Sequence, residues 1–259
     1  MTAHFVDVDG GRLRYRLDGA ANASVLVLSN SLGTNLAMWE PQMAELCRGH
    51  RVLRYDTRGH GESSVTPGSY SIGRLGRDVV TLLDHLAIER AHFCGLSLGG
   101  MTGMWLATHA PTRVSRLALC NTAAHMAPAD LWNGRIDQVR AGGMEAIVES
   151  VLARWFTPAF LARSPDIAAS VRQMVLATPA DGYIACCAAI RDMDQREAIA
   201  RISAPTLVIA GTHDPATPPA DGRFIADRIE GARYVELPAA HLSNIEAARD
   251  FTAALVNFL

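Results

Sequence analysis

The sequence predicts an α/β fold: a mostly parallel sheet flanked by helices, with an inserted all-helical cap. Three observations carry this. Up to Cys120, short apolar runs alternate with stretches of helical periodicity, the order of a parallel sheet covered on both faces. One run, Ala91 to Leu96, leads into Ser97-Leu98-Gly99-Gly100 as a sharp turn from strand to helix. From Ala123 to Ile199 no convincing strand occurs, and strand character then returns at Thr206.

In chain order, His4 to Leu17 reads as a hairpin turning at Asp9-Gly10-Gly11. Val25 to Leu28 is an all-apolar run suited to a strand buried on both faces, and it ends in the loop Asn30 to Thr34. Pro41 to Cys47 reads as a short helix, Val52 to Tyr55 as a strand, and Asp56 to Ser63 as a turn-rich loop. Ile72 to Leu86 has helical spacing, with Val79, Leu82, Leu83 and Leu86 on one face. After the 91–96 strand, a helix is expected to about His109, then a strand at Arg116 to Cys120. The helical block is expected to break at Pro128, Gly142-Gly143, Pro158, Pro165, Pro179 and Gly182. Strands follow at Thr206 to Ala210 and Tyr234 to Leu237. Residues 1–122 and 200–259 are therefore expected to form one core domain and residues 123–199 its cap, since neither flank resembles a flexible linker.

The totals exclude several classes. With 259 residues, 49% of them hydrophobic, the chain can bury a sizeable core. A formal net charge of −2 argues against a nucleic-acid partner, which calls for a basic face. No apolar run approaches membrane-spanning length, and Met1-Thr2-Ala3-His4 opens onto a strand rather than a signal peptide. Cys47, Cys94, Cys120, Cys186 and Cys187 lack zinc or disulfide-framework spacing, which points to free thiols in a reducing cytoplasm.

Gly95-x-Ser97-x-Gly99 is the pattern of a nucleophile elbow, which holds a serine hydroxyl proud of a sheet. Glycines two residues either side spare the turn a collision, and the next helix points its unpaired N–H groups at the serine. Read alone, the pentapeptide is also compatible with a glycine-rich turn and a capping serine. Its context decides for the elbow. Asp214 follows the 206–210 strand and His241 follows the 234–237 strand, both where open α/β sheets gather functional groups. In the order Ser97, Asp214, His241, the histidine takes the serine proton and the aspartate fixes the imidazole tautomer. His213, beside Asp214, is read as a neighbour only. An oxyanion needs two backbone donors: Leu98, after the nucleophile, and Leu32, on the loop after the 25–28 strand.

These residues resemble those of the α/β-hydrolases over almost the whole chain, and most of all the bacterial 3-oxoadipate enol-lactonases of the β-ketoadipate pathway. The elbow and Asp56-Thr57-Arg58-Gly59-His60-Gly61-Glu62-Ser63 are shared across the superfamily, with Asp56 and Arg58 read as loop-shaping. Asn30-Ser31-Leu32-Gly33 is more telling, because many relatives carry His-Gly there, and Gly211 to Pro218 and Ala240 to Asn244 continue the resemblance. Ser97 stands where the dehalogenase and epoxide hydrolase branches carry aspartate.

The resemblance implies hydrolysis of a small-molecule lactone bearing an acetate arm, through an acyl-enzyme on Ser97 and with no metal or organic cofactor. The acetate needs a cation or donors to replace its hydration, and the cap is where arginine and tryptophan come together. Arg135, Trp132 and Trp155 are the candidate substrate-binding residues, with Arg154 the further arginine. The alternatives are a general carboxylesterase, a carbon–carbon bond hydrolase, or a non-catalytic small-molecule receptor of the same fold.

Overall fold

The structure, a computed structural model, describes residues 4–259; the expectation for Met1, Thr2 and Ala3 lies outside the described residues. Strands β1 (His4–Val8), β2 (Gly11–Asp18), β3 (Val25–Ser29), β4 (Arg51–Tyr55), β5 (Ala91–Leu96), β6 (Val114–Cys120), β7 (Thr206–Gly211) and β8 (Arg233–Leu237) form one sheet. Its order is β1-β2-β4-β3-β5-β6-β7-β8. The β1–β2 hairpin and the β2–β4 pair are antiparallel, and every later pair is parallel. Leu26, Val27 and Leu28 of β3 are fully buried, as an apolar strand covered on both faces must be.

The covering helices are α1 (Glu40–Gly49), α2 (Ile72–His85), α3 (Leu98–His109), α9 (Pro219–Arg228), α10 (Ser243–Glu246) and α11 (Ala248–Phe258). α1 packs with α11, and α2 with α3. Ser71 starts α2 by accepting from Arg74 N–H at 3.1 Å, and Val79, Leu82 and Leu83 are buried along it. Leu86, expected on that face, instead lies one residue past the helix as its C-cap.

Between β6 and β7 the chain forms α4 (Ala129–Gly142), α5 (Val148–Trp155), α6 (Pro158–Arg163), α7 (Pro165–Leu176) and α8 (Ala180–Arg191). The punctuation follows local chemistry. Pro158 and Pro165 occupy the first positions of α6 and α7, where a missing N–H costs nothing, and Gly143 ends α4 at φ +67°. Gly182 departs from expectation: it lies inside α8 rather than breaking it. A side chain there would overlap the Gly59 carbonyl, so this glycine is required by close approach rather than by a turn. The two ends of the helical segment are stitched together, His125 pairing with Asp194 and Gln195 N–H donating to Ala124 O at 2.8 Å.

Among the described residues no single helix is long and apolar enough to cross a membrane; α7 and α8 reach that length only together, across a 90° bend. The five cysteines are free, and burial pushes the Cys187 thiol up to about 12.

Candidate active site

Ser97 sits between β5 and α3 at φ 56°, ψ −116°, a strained conformation for a residue with a Cβ. Three bonds hold it there. Its N–H donates to Cys120 O at 2.9 Å, and its carbonyl accepts from Met101 N–H at 3.0 Å and Thr122 Oγ1 at 2.8 Å. A Cβ on Gly95 would overlap the Gly99 carbonyl, whereas one on Gly99 would overlap the Ser29 carbonyl of β3. The first glycine thus clears the elbow itself and the second seats the helix on the neighbouring strand. Leu98, fully buried, is the first residue of α3, where helix geometry leaves the N–H without an intrahelical partner.

On the loops after β7 and β8, His241 Nδ1–H donates to Asp214 Oδ2 at 2.8 Å. Both residues are buried. Oδ2 also accepts from Asn121 Nδ2 at 2.9 Å and Thr217 Oγ1 at 2.8 Å, while Oδ1 accepts from the Ala216 and Thr217 N–H groups at 2.8 and 3.0 Å. Burial alone would raise this carboxyl, but the neighbouring His241 and these donors bring it down to about 2. An Asp214 ionised at neutral pH keeps the imidazole proton on Nδ1 and leaves the lone pair on Nε2. The exposed His213 lines a different groove, beside Arg163 and Pro238.

The loop after β3 is pinned at nearly every polar group. Asn30 accepts from Trp39 Nε1 at 2.9 Å and donates to Tyr55 O at 2.7 Å. Ser31 N–H meets Met38 Sδ at 3.3 Å, Thr34 N–H donates to Ser31 O at 3.2 Å, and Gly33 N–H donates to His60 Nε2 at 2.9 Å. Leu32 N–H takes no acceptor among the described residues, and Leu32 lines the cavity that also holds Ser97 and His241.

That cavity has a volume of about 950 Å³. Its opposite wall comes from the helical segment: Trp132 and Arg135 from α4, Arg154 and Trp155 from α5, and Tyr183 from α8. Arg135 lies over the Trp132 ring, 5.4 Å from its centroid, and reaches Tyr183 Oη at 3.5 Å. Neither Arg135 nor Arg154 has a carboxylate partner among the described ion pairs. Burial, and then the Arg135 charge, hold the Arg154 guanidinium below its ordinary range. The structure thus gathers Ser97, Leu32, His241, Trp132, Arg135 and Trp155 around one space, with Asp214 behind His241.

Residues 24–164 match the family described as alpha/beta hydrolase fold, and residues 175–244 match one described as TAP-like protein. The chain belongs to the α/β-hydrolase family. It is 44% identical to a 3-oxoadipate enol-lactonase 2 of Acinetobacter baylyi, over 94% of this chain and 91% of that one. The crystal structure of an enol-lactonase from Burkholderia xenovorans superposes with a TM-score of 0.97 at 49% identity, covering 98% of this chain and 99% of the other. A putative carbamate hydrolase RutD of Variovorax paradoxus is 32% identical over 95% of this chain and 96% of its own length.

In this α/β-hydrolase several site residues are absent from the sequence reading. Asn121, at φ 43° just after β6, obeys the same rule that finds Asp214 and His241, a polar residue at the carboxyl end of a strand. Thr217, three residues past Asp214, is legible as the partner of an aspartate-initiated turn. Tyr183 carries no local signal, because its partner Arg135 lies 48 residues away in the chain. Among the described residues no group of three or more His, Cys, Asp or Glu is arranged to hold a metal ion.

Proposed function

We propose that this chain is a serine hydrolase that opens 3-oxoadipate enol-lactone to 3-oxoadipate, in the cytoplasmic β-ketoadipate route of aromatic catabolism. Ser97 attacks the ring carbonyl as His241 Nε2 takes its proton, and the N–H groups of Leu98 and Leu32 hold the oxyanion. Collapse breaks the ring C–O bond. The enol oxygen takes the proton from His241 and the product arm tautomerises to the ketone. A water deprotonated by His241 then cleaves the acyl-enzyme and returns the proton to Ser97.

In this reading residues 123–199 are a cap over the core of residues 1–122 and 200–259. Trp132 and Trp155 wall the lactone ring, and Arg135 grips the acetate. The observation that carries it is one cavity with Ser97 and His241 on the sheet side and two guanidiniums without carboxylate partners on the other. A neutral ester has no use for that charge, and the names of two relatives, a 3-oxoadipate enol-lactonase and an enol-lactonase, support the lactone.

The deciding measurement is the ultraviolet decay of purified enol-lactone with wild-type protein and Ser97→Ala. Wild type is expected to turn the lactone over far faster than a simple aryl ester, with kcat falling about 10⁴-fold or more in the variant. Faster turnover of a carbamate or a neutral ester would replace this reading with the carbamate hydrolase or general esterase. Equal rates for wild type and variant would remove Ser97 as the nucleophile.

A further inference from the structure

His60 is fully buried in the loop between β4 and α2, and its ring bonds go to Gly33 and Arg58 rather than to Ser97, His241 or Asp214. Its ring bridges two backbones. Nε2 accepts from Gly33 N–H at 2.9 Å, and the Nδ1 side faces Arg58 O at 3.3 Å. One tautomer satisfies both, with the proton on Nδ1 and the lone pair on Nε2. Burial supports it by pushing the imidazole down to about 4, so the ring is neutral and Nε2 stays an acceptor at neutral pH.

The bond matters because of what Gly33 belongs to. Ser31-Leu32-Gly33-Thr34 is a β-turn closed by Thr34 N–H on Ser31 O at 3.2 Å, with Gly33 at φ +79° in its third position. The peptide joining Leu32 to Gly33 is the central peptide of that turn, the unit free to turn over between turn types. Thr34 Oγ1, at 2.7 Å from Ser31 O, anchors the peptide before Leu32, and His60 anchors the peptide after it. Thr178 Oγ1, donating to Gly33 O at 3.1 Å, closes the far side.

We propose that His60 is a positioning residue of the oxyanion site: by accepting from Gly33 N–H it fixes the central peptide of the 31–34 turn, and so steadies the backbone of Leu32, whose own N–H lies on the adjoining peptide held by Thr34, at the cavity wall. This rests on the reading of Ser97 as nucleophile and Leu32 N–H as oxyanion donor. A donor held ready acts on the charge that develops in the transition state, so its loss falls on kcat rather than on KM.

The test compares His60→Phe, which keeps a ring but no acceptor, with His60→Gln, whose amide oxygen can still take the Gly33 N–H. The readouts are p-nitrophenyl acetate turnover and inhibition by phenylboronic acid, which adds to a nucleophilic serine and places an oxygen in the oxyanion position. His60→Phe is expected to lower kcat about 10- to 100-fold with KM within about twofold, and to weaken the boronic acid by a similar factor. His60→Gln is expected to recover most of both. Should His60→Phe not fold, His60→Asn replaces it, being polar but too short to reach Gly33. A folded acceptor-free variant with wild-type kcat and boronic acid affinity, or one whose whole loss lies in KM, overturns the proposal. Failure of phenylboronic acid to inhibit the wild type would instead strike the Ser97 reading on which it rests.

Discussion

Thr157 donates both its N–H, at 3.3 Å, and its hydroxyl to the carboxylate of buried Glu246, whose Oε2 also accepts from Ala240 N–H at 2.9 Å. Ala240 precedes His241, and Thr157 joins α5 to α6. Leu242 N–H donates to Trp155 O at 3.1 Å on the other side of His241. The end of α5, with Arg154 and Trp155, is therefore fastened to the His241 loop at two points.

Glu246→Ala is expected to strand the Thr157 and Ala240 N–H groups and to cost about 2–4 kcal/mol of stability. Well below the melting temperature, kcat should drop for charged and neutral esters alike, because the loop holding His241 has lost an anchor. Thr157→Val, which spares the Ala240 bond, should cost less stability and leave kcat near wild type. Equal kcat losses in the two variants would mean that the Ala240 bond has no separate effect on His241.

The two cavity arginines lead to a prediction about charge. A carboxylate that leaves water needs a full replacement for its hydration, whereas a neutral ester does not. Arg135→Gln and Arg154→Gln should each raise KM for a carboxylate-bearing ester about 10-fold or more while changing KM for its methyl-capped analogue little. If the two guanidiniums act on the carboxylate independently, the double variant should lose the product of the two single effects, and a departure from it measures their coupling. If all substrates weaken equally, the arginines support the wall rather than read the substrate.

Much of this fold is legible in the sequence because its signals are local. The apolar runs of β3 and β5, and the prolines that open α6 and α7, each follow from steric or hydration rules acting within a few residues. So does the strained turn at Ser97, whose two glycines sit where a Cβ cannot. What escapes is long-range. Gly182 reads as a helix breaker, and only its contact with Gly59, which lies far away in the chain, explains why a helix tolerates it. His60 sits in a motif that shapes a loop, and nothing local says that its lone pair is aimed at the turn carrying Leu32. The pairing of Arg135 with Tyr183 depends on how α4 and α8 cross, which periodicity does not encode.

The contrast between two helical glycines gives a stability prediction. Alanine normally improves a helix by up to about 1 kcal/mol over glycine. At Gly134 on α4 nothing lies within 4 Å of an added Cβ, so Gly134→Ala should raise the melting temperature slightly. At Gly182 the Cβ would overlap the Gly59 carbonyl, and backbone cannot move aside as a flexible side chain can. The strain there outweighs the propensity gain, and Gly182→Ala should cost about 2–3 kcal/mol. Thermal unfolding of both variants checks the opposite signs; a stabilised Gly182→Ala would show that α8 can lift off the 56–63 loop without penalty.

The last prediction concerns acid. His60 titrates at about 4 in the folded protein, against about 6.5 for an unfolded histidine. Between those values the unfolded chain binds a proton that the native ring refuses, so stability is full above the unfolded value and falls as pH drops toward 4. For a fully buried ring the loss is on the order of 3 kcal/mol. Asp214 has the same sign in a lower window: depressed to about 2, it loses its contribution only below about 3.9. His92, brought down to about 4 by burial and then by the charges of His50, Arg116 and Arg90, destabilises in the same range as His60 but is half-exposed and so counts for less. Comparing the wild type with His60→Gln isolates the one ring, since every other group is common to both proteins. Urea unfolding at pH 7.5 and pH 4.5 should show the wild type losing about 2–3 kcal/mol more than His60→Gln. Parallel losses would mean that His60 takes up its proton in the native state, at odds with a ring whose Nε2 is committed to Gly33.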